Sequence, residues 1–194
     1  MQIPSHFLMT AFINDKLKLR FLPVHTGAFL FGSVLPDLPF TLLTVGGEIY
    51  YRWFAPLPVE TGSIMEYLHF TLFFTDPVWI VSHNFFHSLI INSLLLGLGY
   101  GAMRQQYKWG VFLFWLAVGT QLHTIVDIFS HSSDGPLLFF PLNWTYRFAS
   151  PISYWEADNY GRWFILFEYL LDGVIIAYFL TKWFERKRSE QNAG

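Results

Sequence analysis

The sequence predicts an all-α fold: a polytopic membrane helical bundle of about four transmembrane helices plus short interfacial helices, in a single domain over residues 1–194. Three observations predict it. Hydrophobic residues make up 53% of the chain and charged residues 13%, about half the charged share of a soluble domain. Apolar runs of about 20 residues, the length that crosses a hydrocarbon core, recur along the chain. Basic residues gather in tracts between those runs, as loop-confined charge does in membrane proteins. No internal repeat, low-complexity tract or linker divides the chain.

In chain order, the first span is "PVHTGAFLFGSVLPDLPFTLLTVGG" at 23–47. Pro36-Asp37 and Pro39 interrupt it, so it is expected to be broken or kinked. The apolar stretch 69–86 is divided by Asp76-Pro77 and reads as an interfacial segment leading into the next span. The second, third and fourth spans are expected at Phe85–Met103, Trp109–Phe129 and Trp163–Trp183. "KLKLR" (16–20), "MRQQYK" (103–108) and "KWFERKR" (182–188) then fall on one side, which predicts both termini in the cytoplasm. Segments 48–84 and 130–162 lie outside. The first 20 residues lack the order of a cleavable signal peptide.

A net charge of −2 excludes nucleic acid as a partner, because phosphate neutralisation needs a basic surface. The expected partner is the lipid bilayer. Cysteine is absent, so any metal must be held by His, Asp or Glu.

Ionisable groups are costly in lipid, and those inside spans usually face the bundle interior and mark function. Here they are Asp37, His83 and His87, then His123, Asp127 and His131, and finally Glu168 and Asp172. Residues four apart share a helix face, so His83/His87 and His123/Asp127 can each present two ligands to one cavity. His123 and His131 would be about 12 Å apart on one helix. Either the helix ends near Ser130 and His131 swings inward, or Asp127 bridges two metals. In the four-span topology all these groups fall in one layer near the outer surface. Glu168 and Asp172 read as partners of the ligands rather than ligands. The "SSDGPLLFFPLNW" loop reads as a rim, turned by Asp134-Gly135-Pro136.

Four pieces of the chain together carry a resemblance: "SHFLMT", "GSVLPDLPF", "HNFFHS" and "HTIVDIFSHSSDGPLLFFP". In that order they resemble the membrane-bound metal-dependent hydrolases, small bacterial polytopic proteins distantly similar to zinc-dependent phospholipase C. The resemblance implies that Asp37, His83 or His87, His123 and Asp127 ligate metal. His6 would be a further ligand, and His131 would match the His that follows the HxxxD pair. Asp37 would match the carboxylate that helps activate the attacking water. Two features depart from the pattern. No HxxxE pair follows His131, and His6 precedes "KLKLR", so its use demands a re-entrant N-terminal helix.

The expected function is a membrane-embedded, metal-dependent hydrolase of the bacterial inner membrane, acting at its outer face on a phosphodiester or lipid-like substrate. One or two zinc ions would serve it, with manganese or iron as alternatives. Two other classes compete. One is a non-enzymatic membrane scaffold locked by a structural His/Asp metal or polar network. The other is a di-iron membrane oxidase, which uses HxxxH boxes but also adjacent HH pairs; this chain has seven histidines and no HH.

Overall fold

Helices form where the apolar runs lie, and each break between them has a chemical cause. The computed structural model describes residues 1–17, 23–58 and 62–193. It is all-helical, with one isolated bridge, Leu137 to Arg147, as strand-like pairing among the described residues. Lys18 and Arg20 of the "KLKLR" tract lie outside the described residues.

α1 runs Ile3–Leu17 and α2 runs Thr26–Gly32. His25 caps α2, its Nδ1 accepting the Ala28 amide at 3.1 Å. A single 3-10 turn, Leu35–Asp37, leads into α3, Leu38–Trp53. Pro36 and Pro39 lack the amide hydrogen that a continuous helix needs, and α2 and α3 meet at a bend of 44°. The expected break is therefore present. Residues 64–75 form short turns, α4 (Ile64–Glu66), a wide turn (Tyr67–Leu72) and α5 (Phe73–Thr75). α6 is Pro77–Asn84, capped by Asp76, whose carboxylate accepts the amides of Val78 and Trp79 at 2.8 and 3.2 Å.

The expected second span begins later than Phe85. α7 is Leu89–Arg104 and meets α6 at a 46° bend across residues 85–88. No proline causes this break. Side chains take over the backbone groups it frees: Asn84 Nδ2 donates to Ile80 O (2.8 Å), Asn92 Nδ2 to Phe86 O (2.8 Å), and Ser88 Oγ accepts the Ile91 amide (3.1 Å). Asn84 Oδ1 also accepts the Leu137 amide at 2.6 Å, tying the break to the long 131–160 loop.

α8 (Gly110–Ser130) and α9 (Gly161–Ala193) are each long and apolar enough to cross a membrane alone. Counting each bent pair as one span raises the number to four. α2 packs along α8 with glycine against glycine. A Cβ on Gly119 would meet Phe29 O at 2.4 Å and Gly32 Cα at 3.0 Å. Such small-residue contacts let backbones approach where lipid supplies no hydrophobic drive between helices. Phe29 and Trp115 fill the core beside this contact. The faces turned away carry exposed Leu42, Val45, Trp163, Phe167, Leu170 and Val174, a surface suited to lipid rather than water.

α1 lies parallel to α9. Gln2 N donates to Glu168 Oε1 and Ser5 Oγ to Asp172 Oδ2, both at 2.7 Å, while Lys182 Nζ meets Asp15 Oδ1 at 2.6 Å. The first residues of α1 sit at the Ser130 end of α8, where the Met1 amine is 2.9 Å from Asp127. α9 runs on past Lys182 at the other end of α1. Met1 thus lies at the level of the Ser130 end of α8, while α9 continues past the opposite end of α1.

Candidate metal centre

Three elements and one turn deliver the central group. Asp37 comes from the turn that Pro36 forces, His87 from the α6–α7 break, and His123 and Asp127 from successive turns of α8. One oxygen or nitrogen from each of these four residues lies within 4.8 Å of all the others. His123 Nε2 is 2.9 Å from Asp127 Oδ2, and His87 Nε2 is 3.0 Å from His123 Nε2. His87 Nε2 lies 3.3 Å from Asp127 Oδ2 and 3.5 Å from Asp37 Oδ1, and His123 Nε2 lies 3.6 Å from Asp37 Oδ1. A tetrahedral zinc ion with bonds of about 2.0–2.1 Å would set its ligands about 3.3 Å apart. These five distances scatter around that edge length.

Hydrogen bonding fixes which ring nitrogens face inward. His87 Nδ1 is 2.5 Å from His83 O, and His123 Nδ1 is 2.7 Å from Ser33 O. A carbonyl only accepts, so both Nδ1 atoms carry the hydrogen, and both rings turn Nε2 toward the centre, as a lone pair when the ring is neutral. With both rings neutral, two lone pairs and two carboxylates converge with no donor among them. His87, His123 and Asp127 are buried, and the Asp37 carboxylate is 19% exposed. Burial of converging acceptors is costly unless a cation or shared proton joins them.

The other predicted residues take different places. His6 stacks on His123, ring centroids 3.7 Å apart, and its Nε2 meets Asp127 Oδ1 at 2.9 Å, outside the four-atom group. α8 ends at Ser130 and His131 turns inward. Its Nδ1 donates to Asp127 O at 3.0 Å and stays 3.8 Å from Asp127 Oδ1. His83 stacks on His87 at 4.5 Å, and neither of its nitrogens has a hydrogen-bond partner. The two do not share one helix, so the HxxxH spacing does not deliver a pair of ligands. Asp134 Oδ2 accepts from Trp155 Nε1 at 2.9 Å. Glu168 and Asp172 hold α1, as described above.

Above the group lies a cavity of about 370 Å³, lined by Asp37, Phe40, Phe73, His83, Asp127 and His131 among others. The 131–160 loop closes over it. Tyr154 N donates to Ser130 O (2.8 Å), and the Arg147 guanidinium donates to Gly135 O while lying over the Phe73 ring at 5.2 Å. Burial lowers the Arg147 pKa to about 10. Ser33, Asn84, Asn92 and Ser88 position the ligands and were not singled out from sequence. The Ser33 contribution is a backbone carbonyl and leaves no side-chain signal; Asn and Ser around "SHNFFHS" do signal a broken helix.

Residues 1–189 match the family described as YdjM inner membrane protein. The chain belongs to that family. No curated protein and no solved structure matches it. Membership in the YdjM inner membrane protein family supplies the membrane setting that the apolar outer faces of α3 and α9 require. In this YdjM-family chain the buried His/Asp group therefore sits within a membrane bundle, where polar clusters mark function.

Proposed function

We propose that this chain is a membrane-embedded, metal-dependent hydrolase acting on a phosphodiester or lipid-like substrate at the outer face of the membrane. The observation that carries this reading is the convergence of four acceptor atoms within 4.8 Å of one another beneath a cavity that Asp37 and Asp127 help to line. His87, His123 and Asp127 would hold a zinc-type ion. Two backbone carbonyls, Ser33 and His83, orient the histidine rings as outer partners of metal-bound histidines commonly do. When bound, such an ion polarises a phosphoryl or carbonyl oxygen and brings the pKa of its water toward neutrality.

Asp37 differs from the other three. It has the longest contacts to both histidines, the most exposed carboxylate, and a place in the cavity wall. Its role in this reading is to take the proton from water and orient it toward substrate. His6, on the far oxygen of Asp127, holds that carboxylate and would serve a second ion if two bind, with His131 beside it. Phe40, Phe73 and Ile3 give the cavity an apolar side, which suits an acyl-bearing substrate over a fully polar one.

A second reading has its own support. With four protein ligands a zinc site is closed and structural, and Asp37 lies near enough to be the fourth. The 2.9 Å contact of His123 Nε2 with Asp127 Oδ2 also fits a charged hydrogen bond in a metal-free scaffold. The deciding measurement is the metal content of detergent-purified protein beside the Asp127→Ala and His87→Ala variants. One or more ions per chain, lost from both variants without unfolding, supports the site and justifies assays on phosphodiester and lipid substrates. A folded protein that takes up no zinc, manganese or iron would end the metal reading.

A further inference from the structure

α1 carries a line of polar groups that leads from the metal centre along one side of the helix. His6, Thr10 and Asn14 recur every four residues, so they lie along one helix face. They are 0%, 1% and 5% exposed. Each has a buried atom with no hydrogen-bond partner: His6 Nδ1, Thr10 Oγ1 and Asn14 Oδ1. Beside them on α9, Glu168 Oε2 and Asp172 Oδ1 are also buried and unpartnered. The line begins where His6 stacks on His123 and covers about 12 Å of helix. It ends next to Asp15, which Lys182 and Tyr178 hold at 2.5–2.7 Å.

A dry packing of these groups is physically expensive. Each unsatisfied buried polar atom carries its full desolvation cost, and lipid offers no water to relieve it from outside. Nothing in the sequence requires polar residues at 10 and 14 for helix formation; Leu or Ala would serve α1 better. Buried polar atoms without protein partners are where ordered waters sit, each typically making about three hydrogen bonds.

We infer that α1 carries a file of ordered water molecules along His6, Thr10 and Asn14, running from beside the metal centre to the Asp15–Lys182 pair. The file gives the site a second, narrow aqueous connection at the end of the bundle opposite the cavity. Water, and protons moving through its hydrogen bonds, can then exchange with the site while substrate fills the cavity. This holds whether or not the centre is hydrolytic, since it rests on burial and unpaired atoms alone.

The chain contains no cysteine, so the infrared S–H stretch of one introduced thiol has no background. Thr10→Cys would be compared with Ala28→Cys, which places its thiol in the apolar cluster of Phe29 and Trp115. On transfer to D2O the Thr10→Cys band is expected to convert to S–D promptly while the Ala28→Cys band persists. Adding Asn14→Leu to Thr10→Cys is expected to restore a slowly exchanging band, because it closes the route from the Asp15 end. Equal persistence in both single variants overturns the file. Fast exchange unaffected by Asn14→Leu overturns its direction and assigns the water to the cavity. If the variants do not fold, a high-resolution map of the unaltered protein decides. Ordered waters bonded to Thr10 Oγ1 and Asn14 Oδ1 support the proposal, and empty density there refutes it. Metal content measured on the same samples reads the centre separately.

Discussion

Gly119→Ala tests whether helix packing sets the geometry of the site. The added Cβ would stand 2.4 Å from Phe29 O, against the 3.4 Å or more of ordinary contact. Neither partner is a flexible side-chain end, so α2 must withdraw from α8 by about 1 Å at this point. Ser33, one residue beyond the Gly32 contact, holds His123 Nδ1 at 2.7 Å, and a shift of that size leaves the hydrogen bond at or past its limit. Two energies oppose each other in global stability. Overpacking costs about 1–3 kcal/mol, while replacing a helical glycine by alanine returns up to about 1 kcal/mol. The net change in thermal unfolding is therefore modest. Metal affinity should respond more clearly, because losing an outer hydrogen bond to a ligating histidine typically weakens binding by about 10–100-fold. The assay is competitive zinc titration of the detergent-purified variant beside its thermal unfolding. Affinity unchanged within twofold, with α2 still folded, would refute the link from the glycine contact through Ser33 to His123.

Three further outcomes are expected. Asp37→Asn keeps bound metal and loses hydrolysis if Asp37 is the proton acceptor, as metal analysis and activity on the same sample would show; loss of metal instead would favour the closed structural site. Asn84→Leu strands the Leu137 amide and frees the α6–α7 break, costing about 1–3 kcal/mol in thermal unfolding and lowering metal content through His87. Lys182→Ala removes a partly exposed ion pair with Asp15 and should leave thermal unfolding almost unchanged; a marked loss would show that this pair anchors α1.

The helical class, the Pro36 break and the pairing of His123 with Asp127 on α8 were legible because each has a local chemical cause: apolar run length, a missing amide hydrogen, and four-residue spacing on one helix. The α6–α7 break was harder. "SHNFFHS" contains neither proline nor glycine, and the turn is held by amide and hydroxyl bonds to residues as distant as Leu137 and Thr124. Reading His83 and His87 as one helical face followed from treating 85–103 as uninterrupted. The course of α1 was also hidden. Its polar residues are spaced for a helix, but only the pairing of Ser5 with Asp172 and Asp15 with Lys182 shows which neighbour it follows. Charge tracts sort loops between spans, whereas the start of α1 and the residue after α2 both lie beside the site.

The α6–α7 break places local stability and ligand geometry in conflict. A chain selected only for span quality would mend residues 85–88 into one straight helix, gaining backbone hydrogen bonds and a better fit to the bilayer. Each added helical residue would also swing His87 by about 100° around the axis, away from His123. Variants from a search for thermal robustness are therefore expected to gather substitutions across residues 85–88 that favour continuous helix and raise the melting temperature while pulling His87 from the centre. The defect in the helix is the part of the fold that such optimisation should leave alone.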